Sequence, residues 1–487
     1  MAAVLPSTKT MPDDRLEASA DLHTFLSEYE RRYPDEVLRL DRALSAKWEI
    51  TALTAQLEEA KRFPIVVCND VRVDGRQASM PLMTFLMASR LRLARALGVE
   101  VEKAGLALYE RMQRRIAPVV VPREQAPVKQ LIEKGAEVDL LSLPAPHHHQ
   151  MDPGPYITGG FFLCYNRTSG LDNSALHRGW LSDRDEIRVL LNPHSHNWNN
   201  LRGWEQSCED MPAAFWIGHH PLALLGAQTH VGPDESHYAA ASSALGTPLR
   251  LTPSETLGDN FLVPADAEVV VEGFVPAGIR KPEGPFGEYT RYVGPQRWAP
   301  VMKVTAITRR QDALWDDVMV GHTHWYSLLV TEGVVYRTVK QAVPGIRAVH
   351  LPMAGNNAHI YLQIRKTVEG QGKAAAVAAL SCISGNKHVF VFDEDVNIFN
   401  EKEVLQALAW RFQGDRGLVL LKDVTGSPLD PSTDRGVTAK VGFDCTKPLG
   451  KPFPERLSVP EEIRGQVDLA EMVGRERLER IPFEPWG

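Results

Sequence analysis

The chain has 487 residues, with 54 basic and 61 acidic side chains and a formal net charge of −7. A chain of this length divides into about two to four domains, each large enough to bury its own core. The slight negative balance gives no electrostatic pull toward nucleic acid or anionic lipid, so a small molecule is the expected partner.

Residues 1–15 carry no continuous apolar stretch flanked by basic residues, and no signal peptide is expected. Helical periodicity over residues 21–30 and 35–61, an apolar strand over 64–71, and helices over 81–98 and 105–115 mark residues 1–120 as an α/β module. The 81–98 stretch is the most apolar helical candidate, but Arg90, Arg92 and Arg95 interrupt it, so no membrane span is expected.

The texture changes over residues 121–320. Strands are expected at 160–165, 186–191, 213–217, 267–275 and 301–308, joined by long connections rich in Pro, Gly, His and Asn. Strands with long polar loops suggest a β-barrel or sandwich whose loops carry the function. Over residues 321–487 the alternation returns, with strands at 359–364 and 388–392 and helices at 373–381 and 403–412. The last stretch, about forty residues rich in Pro and charge, reads as a tail packed on its own chain or on a partner subunit. Five cysteines, Cys68, Cys164, Cys208, Cys382 and Cys445, are scattered singly and point to a reducing cytoplasm.

The stretch that speaks most directly of chemistry is Pro282-Glu283-Gly284-Pro285-Phe286-Gly287-Glu288-Tyr289. Two carboxylates five residues apart diverge by about 140° on a helix and face opposite sides of a strand. Gly284, Pro285 and Gly287 instead make a shaped loop that can turn both acids toward one point, the arrangement acid–base chemistry needs. The plainer reading is a solvated turn. Histidines gather in the middle third at 147–149, 177, 194, 196, 219, 220, 230 and 237, which suits a metal or a phosphate-bearing cofactor, although a loop histidine is ordinarily a polar surface residue. A competing signal is Gly370-Gln371-Gly372-Lys373-Ala374-Ala375, after an expected strand and opening an expected helix, with Asp393 about twenty residues on. It would make the chain a nicotinamide-dependent oxidoreductase.

The loop PEGPFGEYTRY, the stretch Pro264 to Glu268 before a strand, the stretch Asn173 to Arg178, and Phe392 to Asn397 together resemble the UbiD-like family of reversible decarboxylases. The resemblance runs from the region of Trp48 and Cys68 to Lys440-Val441-Gly442-Phe443-Asp444. It implies α/β plus β architecture: an N-terminal α/β domain (1–120), a central split β-barrel that binds prenylated FMN (121–320), and a C-terminal α/β oligomerisation domain with a tail (321–487). It implies a catalytic triad of Arg178, Glu283 and Glu288, with Glu288 delivering the proton that replaces CO2 after a covalent prenylated-FMN adduct forms.

The family binds the flavin phosphate through a divalent metal, usually manganese, with potassium nearby. The matching ligands are Asn173, His196 in preference to His194, and His237, which stands where the family has glutamate. Imidazole also binds divalent metals; otherwise Glu235 is the ligand, or the divalent metal is held weakly. Ser195, Gln228, Thr229 and Lys387 match cofactor-contacting positions. Tyr289, His322 and His324 fall near the substrate pocket and suit an aromatic or heteroaromatic acid. The implied partners are a flavin prenyltransferase, as the source of cofactor, and further copies of the chain in a homodimer or larger assembly. The His237 departure raises one more alternative, an inactive flavin-binding protein.

Overall fold

The computed structural model describes residues 20–481 except 194, 233, 435 and 458, so residues 1–15 and His194 lie outside the described residues. The first helix, Leu22–Arg32, starts where Asp21 accepts a hydrogen bond from Thr24 N at 2.8 Å. It buries Leu22, Phe25, Leu26 and Tyr29, the spacing of one helical face.

Two helical expectations give way to strands. Within 35–61, Val37–Leu40 is a strand pairing in parallel with Ile65–Cys68, and the helix covers only Glu49–Glu59. Within 81–98, Leu82–Thr84 joins the same sheet and the helix begins at Arg90, after Ser89 caps Arg92 N. Pairing with distant strands overrides local periodicity in segments this short. The fourth strand of this sheet is Trp315–Asp317, which returns from far along the chain to lie beside Leu82–Thr84.

The central sheet has ten strands, and its recorded pairs are antiparallel. Its strand order ends at Asp172–Leu176 on one side and Tyr156–Ile157 on the other, so among the described residues it is an open sheet rather than a closed barrel. The long strand Arg297–Arg309 organises it, pairing with Val269–Val275, Arg280–Glu283, Glu186–Val189 and Leu131–Lys134. Side chains alternate between two cores: Phe161, Leu163 and Trp216 join one, while Phe162, Cys164 and Phe215 join the other. Each such side chain stabilises the sheet by about 1.5–3 kcal/mol. Burial on both faces fixes the strand register that places the site residues.

The long helix Tyr326–Ala342 leads into a five-stranded sheet ordered Ile346–His350, His359–Ile364, His388–Asp393, Val437–Asp444 and Leu418–Thr425. Glu332 on that helix accepts two hydrogen bonds from Arg90, at 2.7 and 2.8 Å, and pairs with His350 at 3.2 Å. One buried carboxylate thus ties the first module to the last. The glycines of the 370–375 stretch have structural uses. Gly370 takes φ +89° ahead of the helix Gln371–Leu380, and a Cβ on Gly372 would meet Asp444 Oδ1 at 2.2 Å. Asp393 accepts from Lys447 N at 2.8 Å and pairs with Arg411, so its carboxylate is already engaged. Arg456 ties the final segment to Asp395 O and Glu403, beyond which Leu457, Val459, Ile463 and Met472 are exposed. All five cysteines are free, and among the described residues no helix is long and apolar enough to cross a membrane.

Candidate active site

The two glutamates sit at opposite ends of a tight double turn. Glu283 closes the strand Arg280–Glu283 opposite Arg297, and Phe286–Gly287 pairs with Val293–Gly294 just before Glu288. Gly284 takes φ +83°, open to glycine and strained for other residues, and the Gly284–Pro285 peptide is cis. Gly287 allows a close approach, since a Cβ there would lie 2.4 Å from His149 Nδ1. The loop is shaped for convergence.

Arg178, between the strands Asp172–Leu176 and Gly179–Asp183, receives both acids. Its Nε and Nη2 donate to Glu283 at 2.9 and 2.7 Å, and its Nη1 donates to Glu288. The guanidinium also lies 4.5 Å from the centre of the Phe286 ring. Glu283 is 0% exposed, Glu288 5% and Arg178 9%, so the charges interact with little screening by water. Burial raises the Glu288 carboxyl above its usual range, Arg178 pulls it back, and Glu283 adds to the rise. Burial works against the Arg178 charge, but Glu288 and Glu283 outweigh it and raise its pKa.

Two residues that sequence reasoning missed hold this group. Tyr156 donates its hydroxyl to Glu283 Oε1 at 3.0 Å. Asp152 accepts from Gly287 N at 2.9 Å and from His149 N at 2.9 Å, fixing the backbone just before Glu288. The signal available was their place in the Asp152-Pro153-Gly154-Pro155-Tyr156 turn, where polar side chains have few roles besides capping and binding.

Tyr289 and the two expected pocket histidines lie around the loop. The Tyr289 hydroxyl meets Ser427 Oγ at 3.0 Å, and its carbonyl accepts from Asn356 at 2.6 Å, so two C-terminal loops touch this segment. A Cβ on Gly321 would lie 3.1 Å from Glu288 O, which puts the segment carrying His322 and His324 directly against it. His322 stacks on His149, with centroids 6.3 Å apart and planes at 5°, and its Nδ1 bonds Glu58. Glu58 is held down to about 2: burial opposes this, but His322 and Thr323 outweigh it. Burial lowers His324 to about 4, and its Nδ1 is buried without a hydrogen-bond partner among the described residues.

A second locus gathers Asn173, Ser195 and Gln228 from the expected cofactor residues. The strand Asp172–Leu176 brings together the N-termini of the helices His196–Gln206 and His237–Leu245. Asn173 donates to Asn197 on the first helix, while Asp172 accepts from Tyr238 N at 3.0 Å on the second. Two helix N-termini at one strand form a natural seat for an anion such as a phosphate. Burial lowers His237 to about 4 and nearby His196 adds to the effect, while His237 Nδ1 is buried with no hydrogen-bond partner among the described residues. A neutral imidazole with a free ring nitrogen fits a ligand role.

Among the described residues no three His, Cys, Asp or Glu side chains converge as metal ligands. Glu235, the alternative ligand, is engaged by Arg115 and Gly232 N. Ser195 caps the His196 helix, Gln228 accepts from Leu176 N at 2.9 Å, and Thr229 bonds Leu225 O at 3.2 Å. Lys387 is spent on Asp430, at 2.9 Å, and on Ser432.

Three other histidines of the middle third have structural uses. His148 is buried between Thr51 and Asp317, at 2.8 and 3.1 Å, and His177 bonds Leu190 O at 3.0 Å. His220 Nδ1 accepts from Leu222 N at the start of its helix.

Comparison with known proteins finds relatives over most of the chain. Three profiles of 3-octaprenyl-4-hydroxybenzoate carboxy-lyase match: the N-terminal domain over residues 30–112, the Rift-related domain over 119–323 and the C-terminal domain over 324–445. Anhydromevalonate phosphate decarboxylase of Methanothermobacter thermautotrophicus is 30% identical over 420 residues, covering 85% of this chain and 95% of its own. Gallate decarboxylase of Lactiplantibacillus plantarum is 28% identical over 402 residues, covering 76% and 81%. The solved UbiD-class enzyme HmfF from Pelotomaculum thermopropionicum, in complex with FMN, is 33% identical with a TM-score of 0.86, covering 93% of this chain and 99% of its own. An evolved dimeric form of HmfF in complex with prFMN is 31% identical with a TM-score of 0.84, covering 93% and 100%. By profile, identity and fold together, the chain belongs to the UbiD family of carboxy-lyases.

Proposed function

We propose that the chain decarboxylates an aromatic or heteroaromatic carboxylic acid without net oxidation, using prenylated FMN, with Glu288 as the proton donor. The observation that carries this reading is the buried pair of carboxylates on one guanidinium, Arg178 with Glu283 and Glu288. Bound prenylated FMN would supply the electron sink for the pair released when the bond to CO2 breaks. Arg178 anchors Glu283 through two hydrogen bonds. The raised Glu288 carboxyl retains its proton to higher pH than an exposed glutamate and can hand it to the vacated carbon, then regain one from water. The dry surroundings favour neutral CO2 over a carboxylate, and closure between the loops of the central sheet and the C-terminal loops would keep them dry.

The cofactor phosphate would sit at the paired helix N-termini, among Asn173, Ser195, Gln228 and Thr229, with Lys387 reaching it on release from Asp430. A divalent ion, manganese in most of the family, would take Asn173, His196 and His237, with potassium nearby. These three ligands are neutral, so the ion would depend on the phosphate for charge balance.

The reading divides the chain at 1–120, 121–320 and 321–487, and assigns the last part to assembly into a homodimer or larger oligomer. The dimeric form of an evolved HmfF supports self-assembly, without bearing on which part of the chain mediates it. Free cysteines support a cytoplasmic setting, where a flavin prenyltransferase would provide the cofactor.

Gallate decarboxylase among the relatives, and the Tyr289, His322 and His324 side chains, support a flat aromatic substrate. A second substrate reading has one observation in its favour, the 30% identity to an anhydromevalonate phosphate decarboxylase. The test is to co-produce the chain with a flavin prenyltransferase, record its absorbance and cofactor mass, and measure CO2 release from aromatic acids, heteroaromatic acids and anhydromevalonate phosphate. Prenylated FMN with release from an aromatic or heteroaromatic acid is expected. Release from anhydromevalonate phosphate alone would favour the second substrate, and colourless protein that reduces or oxidises a nicotinamide cofactor would defeat both readings.

A further inference from the structure

Glu283 and Glu288 share one arginine unequally. Glu283 accepts three hydrogen bonds, from Arg178 Nε at 2.9 Å, Arg178 Nη2 at 2.7 Å and the Tyr156 hydroxyl at 3.0 Å. Arg178 Nη1 is the only side-chain donor to Glu288 among the described residues. Two carboxylates and one guanidinium leave a surplus negative charge in a buried place, and taking up a single proton relieves it. Which carboxyl takes that proton depends on how well each anion is solvated by its donors.

Tyr156 makes the difference between them larger. It is 0% exposed, its ring packs 4.4 Å from the Phe286 centroid, and its backbone is held by pairing of Tyr156–Ile157 with Gly179 and Trp180. The hydroxyl is therefore aimed at Glu283 by the fold, and burial together with the Glu283 charge keeps the phenol protonated as a donor. The other charged groups facing the cluster are Arg297, beside Glu288, and Asp152, beside Tyr156.

We propose that Tyr156 is a positioning residue whose hydrogen bond to Glu283 assigns the shared proton to Glu288. In turnover the pair left on carbon when CO2 departs takes the Glu288 proton, a C–H bond forms, and Glu288 is left as a carboxylate that water reprotonates. That consequence rests on the decarboxylase reading; the location of the proton does not.

The experiment is infrared titration of the protein without added cofactor, following the protonated-carboxyl bands and identifying each by its loss in Glu288→Gln or Glu283→Gln. Tyr156→Phe removes one oxygen and keeps the ring packing. A hydrogen bond to a charged acceptor changes an equilibrium by about tenfold or more, so the ratio of protonated Glu288 to protonated Glu283 should fall by at least about tenfold. An unchanged ratio overturns the proposal. If Tyr156→Phe does not fold, 3-fluorotyrosine at position 156, a stronger donor of nearly the same size, must shift the Glu283 carboxylate stretch, and no shift overturns the proposal equally. In flavin-loaded enzyme the phenylalanine variant should lose about tenfold in kcat with KM nearly constant. Absence of any turnover in the parent would sink the decarboxylase reading while leaving the infrared result to decide this one.

Discussion

Arg178 grips Glu283 through two hydrogen bonds of 2.9 and 2.7 Å, one to each carboxylate oxygen, yet reaches Glu288 through Nη1 alone. The asymmetry follows from placement: Glu283 ends a strand paired with Arg297–Arg309, whereas Glu288 lies beyond the turn at Gly287. Arg178→Lys keeps the charge but cannot make the fork, so it should leave one carboxylate poorly paired. A drop in kcat/KM of about a hundredfold or more is expected, on the scale of losing a charge-assisted donor. Activity within a few-fold of the parent would mean that charge alone suffices.

Stability should carry the imprint of the raised Glu288 carboxyl. Its folded pKa exceeds its unfolded one, so the folded state binds the proton more tightly. The stability it contributes is fully present below the unfolded pKa and is lost as pH rises through the folded value. Glu288→Gln cannot ionise, and its Tm relative to the parent should therefore rise as pH increases through that window. A Tm difference independent of pH between acid and neutral conditions would contradict the shift.

Gly287 is set by the approach of His149, whose Nδ1 would lie 2.4 Å from a Cβ at that position. Gly287→Ala must push the loop or the imidazole aside and should cost about 1–3 kcal/mol of stability. Because Gly287 N also donates to Asp152, the move should misplace Glu288 and lower kcat more than it raises KM. Denaturant unfolding and steady-state kinetics on the same preparation separate the two effects.

His237 offers a test of the cofactor seat that does not require turnover. Replacing this buried, neutral imidazole with the acidic ligand common in the family, His237→Glu, adds a negative charge beside Asn173 and His196. Manganese retained after gel filtration of flavin-loaded protein should increase over the parent, and His237→Ala should retain less. Equal metal content in all three would remove His237 from the ligand set.

Much of the frame was legible where a segment carried a full period or an unusual loop. The strand His359–Ile364 coincides with its expected bounds, and the helix Ala104–Met112 overlaps its expected stretch of 105–115, starting one residue earlier. The carboxylate loop could be read because two glycines and a proline at that spacing have few uses besides bending. Val37–Leu40 and Leu82–Thr84 were read as helix because strands of three or four residues show no period of their own, and their identity comes from neighbours in the sheet. Trp315–Asp317 could not be assigned to the first sheet from its position in the chain, since sequence order does not reveal a crossover. Tyr156 and Asp152 escaped for a related reason: each becomes functional only through a partner more than a hundred residues away, Glu283 for one and Gly287 for the other.

The most direct test of the central claim is the fate of solvent hydrogen. Flavin-loaded protein would be given a decarboxylatable aromatic or heteroaromatic acid in heavy water, and the product examined by mass spectrometry and NMR. One deuterium at the vacated carbon for each CO2 released, with both lost in Glu288→Gln, is the expected result. Deuterated product formed by Glu288→Gln at the parent rate would contradict the role of Glu288 as proton donor.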